Sequence, residues 1–145
     1  MAATAGIIAV LGGREALKGR RIEGPEDLRA RVREGLPFAA LEAVARTLEL
    51  ERPELTAALD LPERTLVRRK QERRLRPAES DRLVRLARVA AQAVEVLGDT
   101  ERAVRWLHRP NRALGGPAPL TLLDTDIGAQ QVEQLLGRIE HGVYS

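Results

Sequence analysis

Only three of the 145 residues are aromatic: Phe38, Trp106 and Tyr144. A chain of this length can bury a substantial interior, so Leu, Val, Ile and Ala must fill it. Such a core suits helices packed on helices, because strands favour aromatic and β-branched residues while Leu and Ala favour helices. An all-α fold is therefore expected. Apolar residues at 43% and charged residues at 31% have the balance of a folded chain rather than a disordered one.

The breakers and the apolar spacing mark where the helices fall. Ala2 to Leu11 reads as a short helix stopped by Gly12-Gly13. Gly24-Pro25 opens a helix whose first turn carries Glu26 and Asp27, where acids favour the positive end of the dipole; it ends near Gly35. Pro37 starts the next, over Phe38 to Leu50, with Leu41, Val44, Ala45 and Leu48 at helical spacing. Glu51 to Leu59 and Pro62 to Arg74 read as two short helices with a tight turn at Asp60-Leu61, Pro62 falling in a first turn. Pro77 begins the longest helix, through about Leu97. Its polar residues Arg82, Arg85, Arg88, Gln92 and Glu95 form one narrow stripe, so it is expected to be packed on more than one side, as a spine or in a dimer interface. Gly98-Asp99 ends it, Thr100 can cap the next helix, Arg109 to Thr125 is a Gly/Pro-rich loop, and a last helix runs from about Asp126 to Glu140. That helix places Ile127, Val132, Leu135, Leu136 and Ile139 on its apolar face. No strand is expected.

Several chemistries are disfavoured. There is no cysteine, which removes disulfides, thiol nucleophiles and cysteine zinc sites and fits a reducing cytoplasm. The longest apolar run, Ala5 to Leu11, is far short of the ~20 residues of a membrane span. No basic segment precedes it, so neither a membrane association nor a secretory signal is expected. His108 and His141 lie on separate helices without a metal-ligand pattern, and Ser80 and Ser145 sit in no nucleophile elbow. Gly12-Gly13 and Gly115-Gly116 follow no strand, as a phosphate loop would. Asp124 and Asp126 flank a helix start and read as caps. No catalytic constellation, metal or cofactor is expected.

The charge is unevenly placed. Pro62 to Arg76 holds Arg64, Arg68, Arg69, Lys70, Arg73, Arg74 and Arg76 against Glu63 and Glu72, a local +5 in a chain whose net charge is +3. Arg14 to Arg33 carries a second excess of +3. Two short helices around a tight turn, the second basic, describe a helix-turn-helix, whose second helix enters the major groove of duplex DNA. Leu55, Leu59, Leu61 and Leu66 can pack the pair together. Arg64, Thr65, Arg68 and Arg69 are then expected near the outer face, where arginine can bond bidentately to guanine. Lys70, Arg73 and Arg74 suit phosphates. Thr56 and Asp60 stand where many such motifs have a small residue and a glycine, although Asp tolerates the left-handed turn conformation. A solvated basic helix face is the other reading of the same residues. The scarcity of aromatics disfavours single-stranded nucleic acid, whose binding relies on base stacking.

The last third carries an ordered pattern. Ala103-Val104-Arg105-Trp106-Leu107 leads to Pro110-Asn111, then Ala113-Leu114-Gly115-Gly116, Pro119-Leu120, Gly128, Val132, and Gly137-Arg138-Ile139-Glu140-His141-Gly142-Val143-Tyr144-Ser145. From about Pro77 onward the chain resembles the C-terminal toxin-binding domain of the Xre/MbcA/ParS antitoxins, partners of RES-domain toxins. Glu54 to Arg76 also resembles that family's Xre-type helix-turn-helix. The resemblance implies an N-terminal helical region at 1–76, with the helix-turn-helix at about 51–74, and a C-terminal toxin-binding domain at 77–145.

It also implies a non-enzymatic antitoxin. Such a protein covers the active site of an NAD⁺-degrading RES-domain toxin and represses its own operator, acting as a homodimer. The implied toxin contacts are Asn111, Leu114, Gly115, Gly116, Arg138, His141, Gly142, Val143, Tyr144 and Ser145. Independently of the family, a tyrosine and a terminal carboxylate after an amphipathic helix form an exposed tip suited to an interface. Gly115-Gly116 also reads simply as a turn, and Trp106 and Leu107 as core. The alternative is a stand-alone dimeric helix-turn-helix regulator with no toxin partner; a purely protein-binding adaptor with a solvated basic helix is a third reading.

Overall fold

The computed structural model describes residues 3–142. Helices α1 (Thr4–Val10), α2 (Gly13–Leu17), α3 (Pro25–Glu34), α4 (Phe38–Thr47), α5 (Arg52–Leu59) and α6 (Glu63–Glu72) precede the long α7 (Pro77–Leu97). After it come α8 (Thr100–His108), two 3₁₀ turns (Arg112–Leu114 and Pro119–Leu122) and α9 (Asp126–Glu140). Among the described residues there is no strand, only an isolated antiparallel bridge between Pro37 and Arg74. The all-α expectation holds.

Helix α7 is the spine. It packs on α1, α3 and α5 from the N-terminal half and on α8 and α9 from the C-terminal half. Ala87, Val89, Ala90 and Ala93 are wholly buried, and these small side chains let flanking helices approach closely. One apolar cluster runs without a break from Ile7 through Leu83 and Leu86 to Leu136. From Arg82 to Gln92 the polar stripe of α7 is a seam rather than a solvated edge, while Glu95 is exposed. The Arg88 guanidinium donates to both Glu133 oxygens of α9 at 3.0 and 3.1 Å, Gln92 donates to the Glu133 carbonyl at 3.2 Å, and Arg85 donates to the Leu123 carbonyl at 3.2 Å. Farther toward the N-terminus, Arg82 donates to the Leu59 carbonyl at 3.3 Å and so holds the end of α5.

The structure differs from the sequence reading at several points. Gly12-Gly13 does not only stop a helix: Gly12 adopts φ +98°, and Gly13 opens the unexpected α2. A Cβ at Gly12 would lie 2.4 Å from Ala16 Cβ and 2.7 Å from Ala43 Cβ, so only glycine fits there. Asp99, not Thr100, caps α8, accepting from Arg102 N at 2.8 Å. Thr125 caps α9 through Oγ1, at 3.0 Å from Gly128 N, while Asp126 accepts from Gln130 at 3.0 Å. Ile127 is 72% exposed instead of sharing the apolar face. Helix α6 stops at Glu72 rather than Arg74, because Arg73 turns left-handed at φ +65°. The chain beyond it pairs with the start of α4, Phe38 N donating to Arg73 O at 3.0 Å and Leu75 N to Leu36 O at 2.8 Å. Ser80, fully buried, locks this junction by accepting from Leu36 N at 2.8 Å and donating to Arg76 O at 2.9 Å.

Candidate functional site

Helices α5 and α6 form the expected helix-turn-helix. Asp60 sits in the left-handed region at φ +47°, ψ +52°, so it does supply the turn conformation usually left to glycine. Leu61 N donates to Thr56 O at 3.0 Å, closing the end of α5. Leu55, Leu59, Leu61 and Leu66 are all buried between the helices. Arg64 and Arg68, four residues apart, are exposed on one face of α6; Thr65 is half-buried beside them and Lys70 is exposed. Among the described residues Arg64, Arg68 and Lys70 take part in no ion pair closer than the 4.0 Å limit.

Arg69 does not lie on the outer face. Its side chain is 7% exposed, and its Nε donates to Glu79 Oε1 on α7 at 2.7 Å while Nη1 reaches Glu72 at 3.3 Å. The bond to Glu79 holds the guanidinium above its ordinary value although burial pushes the other way. Burial pushes the Glu79 carboxyl up, but the bonds from Arg69 and from the Arg76 N–H at 2.8 Å outweigh it and leave it below the usual range. Arg69 therefore braces α6 against α7. Three residues after buried Leu66 it shares that inward face. Arg74 is likewise engaged, donating to Gly35 O at 2.7 Å, while Arg73 is exposed where the chain leaves α6.

Two residues on the outer face escaped the sequence reading. Val67, 44% exposed, and Gln71 follow Arg64 by three and seven positions and share its stripe. Their types fit groove contacts, an apolar group for a thymine methyl and an amide for adenine. The run of basic residues around them hid the pattern.

In the C-terminal half, Asn111 shapes a loop. Its Oδ1 accepts from Ala113 N at 3.0 Å, and its carbonyl accepts from Gly116 N at 2.9 Å. Gly115 and Gly116 take φ +86° and +116° with open space where a Cβ would stand, so backbone conformation and not crowding calls for glycine there. Leu114 is half-buried against the core. Trp106 is half-buried against the core and Leu107 fully buried, in line with a packing role. The first 3₁₀ turn packs on α9.

On the outside of α9, Ile127, Gln130, Gln131, Gln134, Arg138 and His141 are all exposed and recur at helical spacing. This single stripe carries one aliphatic side chain, three amides and little charge. Gly142 is exposed after it, and Val143, Tyr144 and Ser145 lie outside the described residues. Arg138 and His141, with Gln134 and Gly137, line a shallow concavity on the stripe. His108 is used structurally, its Nε2 lying 2.8 Å from the Leu48 carbonyl, which can only accept. Among the described residues no group of three metal-binding side chains occurs, and no helix is long and apolar enough to cross a membrane.

Residues 27–88 match the family model of the Xre-like antitoxin helix-turn-helix domain, and residues 92–142 match that of the Xre/MbcA/ParS antitoxin C-terminal toxin-binding domain. An Antitoxin Xre of Yersinia enterocolitica is 34% identical over 116 residues, spanning 79% of this chain and 78% of that protein. The chain belongs to the Xre antitoxin family. A second Antitoxin Xre, from Photorhabdus laumondii, is 35% identical over 84% of this chain and 83% of its own length. A more distant relative from a Sphingobium species, the Prs ADP-ribosylating antitoxin, is 28% identical over 83% of this chain and 82% of its own. In this Xre antitoxin the first matched region ends at residue 88 and the second begins at 92, both within α7.

Proposed function

We propose that this protein is a type II antitoxin that neutralises a RES-domain, NAD⁺-degrading toxin through its C-terminal half. In the same reading it represses its own operator through α6, as a cytoplasmic homodimer, and it acts by binding rather than by catalysis. One observation carries this reading: two separate exposed surfaces stand on one continuous helical core. The first is the outer face of α6, with Arg64, Thr65, Val67, Arg68 and Lys70, flanked by Arg73. The second is the stripe of α9 from Ile127 to His141, with the Asn111–Gly116 loop and Gly142; the reading also assigns toxin contacts to Val143, Tyr144 and Ser145, which lie outside the described residues. An exposed isoleucine among uncharged amides fits a protein interface, whose centre is depleted in charge. An exposed arginine face on a second helix fits the major groove.

In this assignment Asn111, Gly115 and Gly116 set the loop's shape while Leu114, Arg138 and His141 meet the toxin. Arg69 serves DNA binding only indirectly, by fixing the orientation of α6.

The test is co-expression with the product of the adjacent toxin gene. The two chains are expected to co-purify, and growth and cellular NAD⁺ are expected to recover. Toxicity that persists with both chains present, and no complex on purification, would refute the proposal. Should the protein then bind its upstream duplex as a dimer with steep salt dependence, the stand-alone regulator takes its place.

A further inference from the structure

We propose that the loop at 18–21, together with the exit of α6, forms a second phosphate-binding surface that extends the grip on duplex DNA beyond the helix-turn-helix. The proposal rests on the reading of α6 as a DNA-binding helix. Lys18, Arg20 and Arg21 are exposed on the connection between α2 and α3, and they line one concavity with Arg31, Arg73 and Arg74. Asp27 and Glu34 are the acids of that concavity, and the Asp27 carboxylate already accepts from Glu23 N at 2.9 Å.

The loop is built to present its cations. Lys18 and Gly19 take φ +53° and +67°, turning the chain so that backbone carbonyls face Arg31. The Arg31 guanidinium gathers those carbonyls, donating to Leu17 O, to Lys18 O at 3.0 Å and to Arg20 O at 3.3 Å. Arg31 is thereby a staple, and the side chains of Lys18, Arg20 and Arg21 are left outside. Among the described residues these three and Arg73 take part in no ion pair within 4.0 Å.

Six cations gathered against only two acids repel one another, and a polyanion relieves that repulsion. The chemistry selects phosphodiesters over a small ligand or bases. Small-molecule pockets are mostly apolar, whereas eight of the thirteen residues lining this concavity are charged, six of them cations, and it has no aromatic ring on which a base could stack. Position agrees as well. Arg73 ends α6 and also lines this concavity, so the patch adjoins the helix read as the DNA-binding one. Residues 18–21 precede both regions matched by the family models.

The experiment measures binding of the full-length protein to two duplexes of equal length over a salt series. One carries the gene's own upstream sequence and the other a scrambled sequence. For K18Q/R20Q/R21Q the slope of log affinity against log salt should fall by about two to three for each protomer bound, because each lost phosphate contact removes ~0.9. Affinity should weaken at least about tenfold on both duplexes alike, since backbone contacts carry no sequence information. R21Q alone should remove about one unit of slope for each protomer bound, and it serves if the triple variant melts early.

R64A/R68A, measured in parallel, should lose the preference for the upstream duplex. If R64A/R68A loses that preference while the loop variants keep the full salt slope, the second surface is overturned and the α6 reading stands. If neither set changes DNA binding, the α6 reading itself fails and this proposal with it. A loop variant that keeps its DNA slope but no longer co-purifies with the toxin also overturns the proposal, because the patch is then a protein interface.

Discussion

Glu79→Ala is expected to lower the free energy of unfolding by about 3–5 kcal/mol, the usual cost of removing one partner from a buried ion pair. The loss leaves the Arg69 guanidinium, 7% exposed, with only the half-exposed Glu72 for a partner, and strips the Arg76 N–H of its acceptor. For a chain of this size each kcal/mol moves the melting temperature by roughly 2–4 °C, so the shift is large and easily read by circular dichroism.

R69M/E79L should recover most of the loss, because exchanging a whole buried pair for apolar side chains is often neutral or better. That double variant also separates the two roles of Arg69. If Arg69 only braces α6, R69M/E79L keeps its DNA affinity; a marked loss with the fold intact would make Arg69 a direct contact.

The same pair sets an acid limit. The Glu79 carboxyl is held below the usual range: burial pushes it up, and the Arg69 and Arg76 bonds more than offset that push. Its contribution is therefore fully present above the unfolded value of about 4.3 and fades as pH falls through the folded value. E79A should show a flatter loss of stability in that acid window than the parent.

Gly128→Ala is the second large effect. A helix interior ordinarily gains ~0.5–1 kcal/mol when Gly becomes Ala. Here the new Cβ would stand 1.8 Å from the Leu122 carbonyl oxygen and 2.8 Å from its carbon. Both are backbone atoms of the second 3₁₀ turn, which packs on α5, α8 and α9 together, so nothing nearby can yield cheaply. Overpacking typically costs about 1–3 kcal/mol, and a backbone clash belongs at or beyond the upper end.

G137A in the same helix is the control, since a Cβ there meets nothing within 4 Å and should be neutral or slightly stabilising. Equal stabilities for G128A and the parent would mean that α9 does not seat on the 3₁₀ turn as described.

Much of this fold was legible because the chain is strongly punctuated. Pro25, Pro37, Asp60, Pro77 and Gly98 stand at or within one residue of helix ends, and α7 and α9 are long enough for their periodicity to show. Helix α2 was not legible: its five residues are too few for a period to emerge, and Gly12 owes its place to Ala16 and Ala43. The α7 stripe was readable as polar, but its partners Leu123 and Glu133 lie some forty residues away in sequence, so a seam looked like an edge.

At the candidate sites, the facing of two residues follows from helical periodicity alone. Arg69 falls three residues after buried Leu66 and hence points inward, yet a run of arginines invites reading them all as solvated. On α9, Val132, Leu135, Leu136 and Ile139 cluster on one side at 100° per residue, and Ile127 lies roughly 130° from their centre. The exposed face, and with it the candidate toxin surface, follows from that arithmetic. The conformation of the Asn111–Gly116 loop does not, because it depends on hydrogen bonds between specific backbone atoms.

The most direct measurement of the proposed division of labour is a crossed assay of two variants. R64A/R68A alters α6, and I127E/R138E alters the outer stripe of α9. Each protein is tested for binding to the upstream duplex and for rescue of growth against the adjacent toxin. The α6 variant should lose DNA binding and still rescue, and the α9 variant should bind DNA and fail to rescue. If both variants keep rescuing, or if each loses both activities while remaining folded, the two surfaces do not have the separate partners assigned to them.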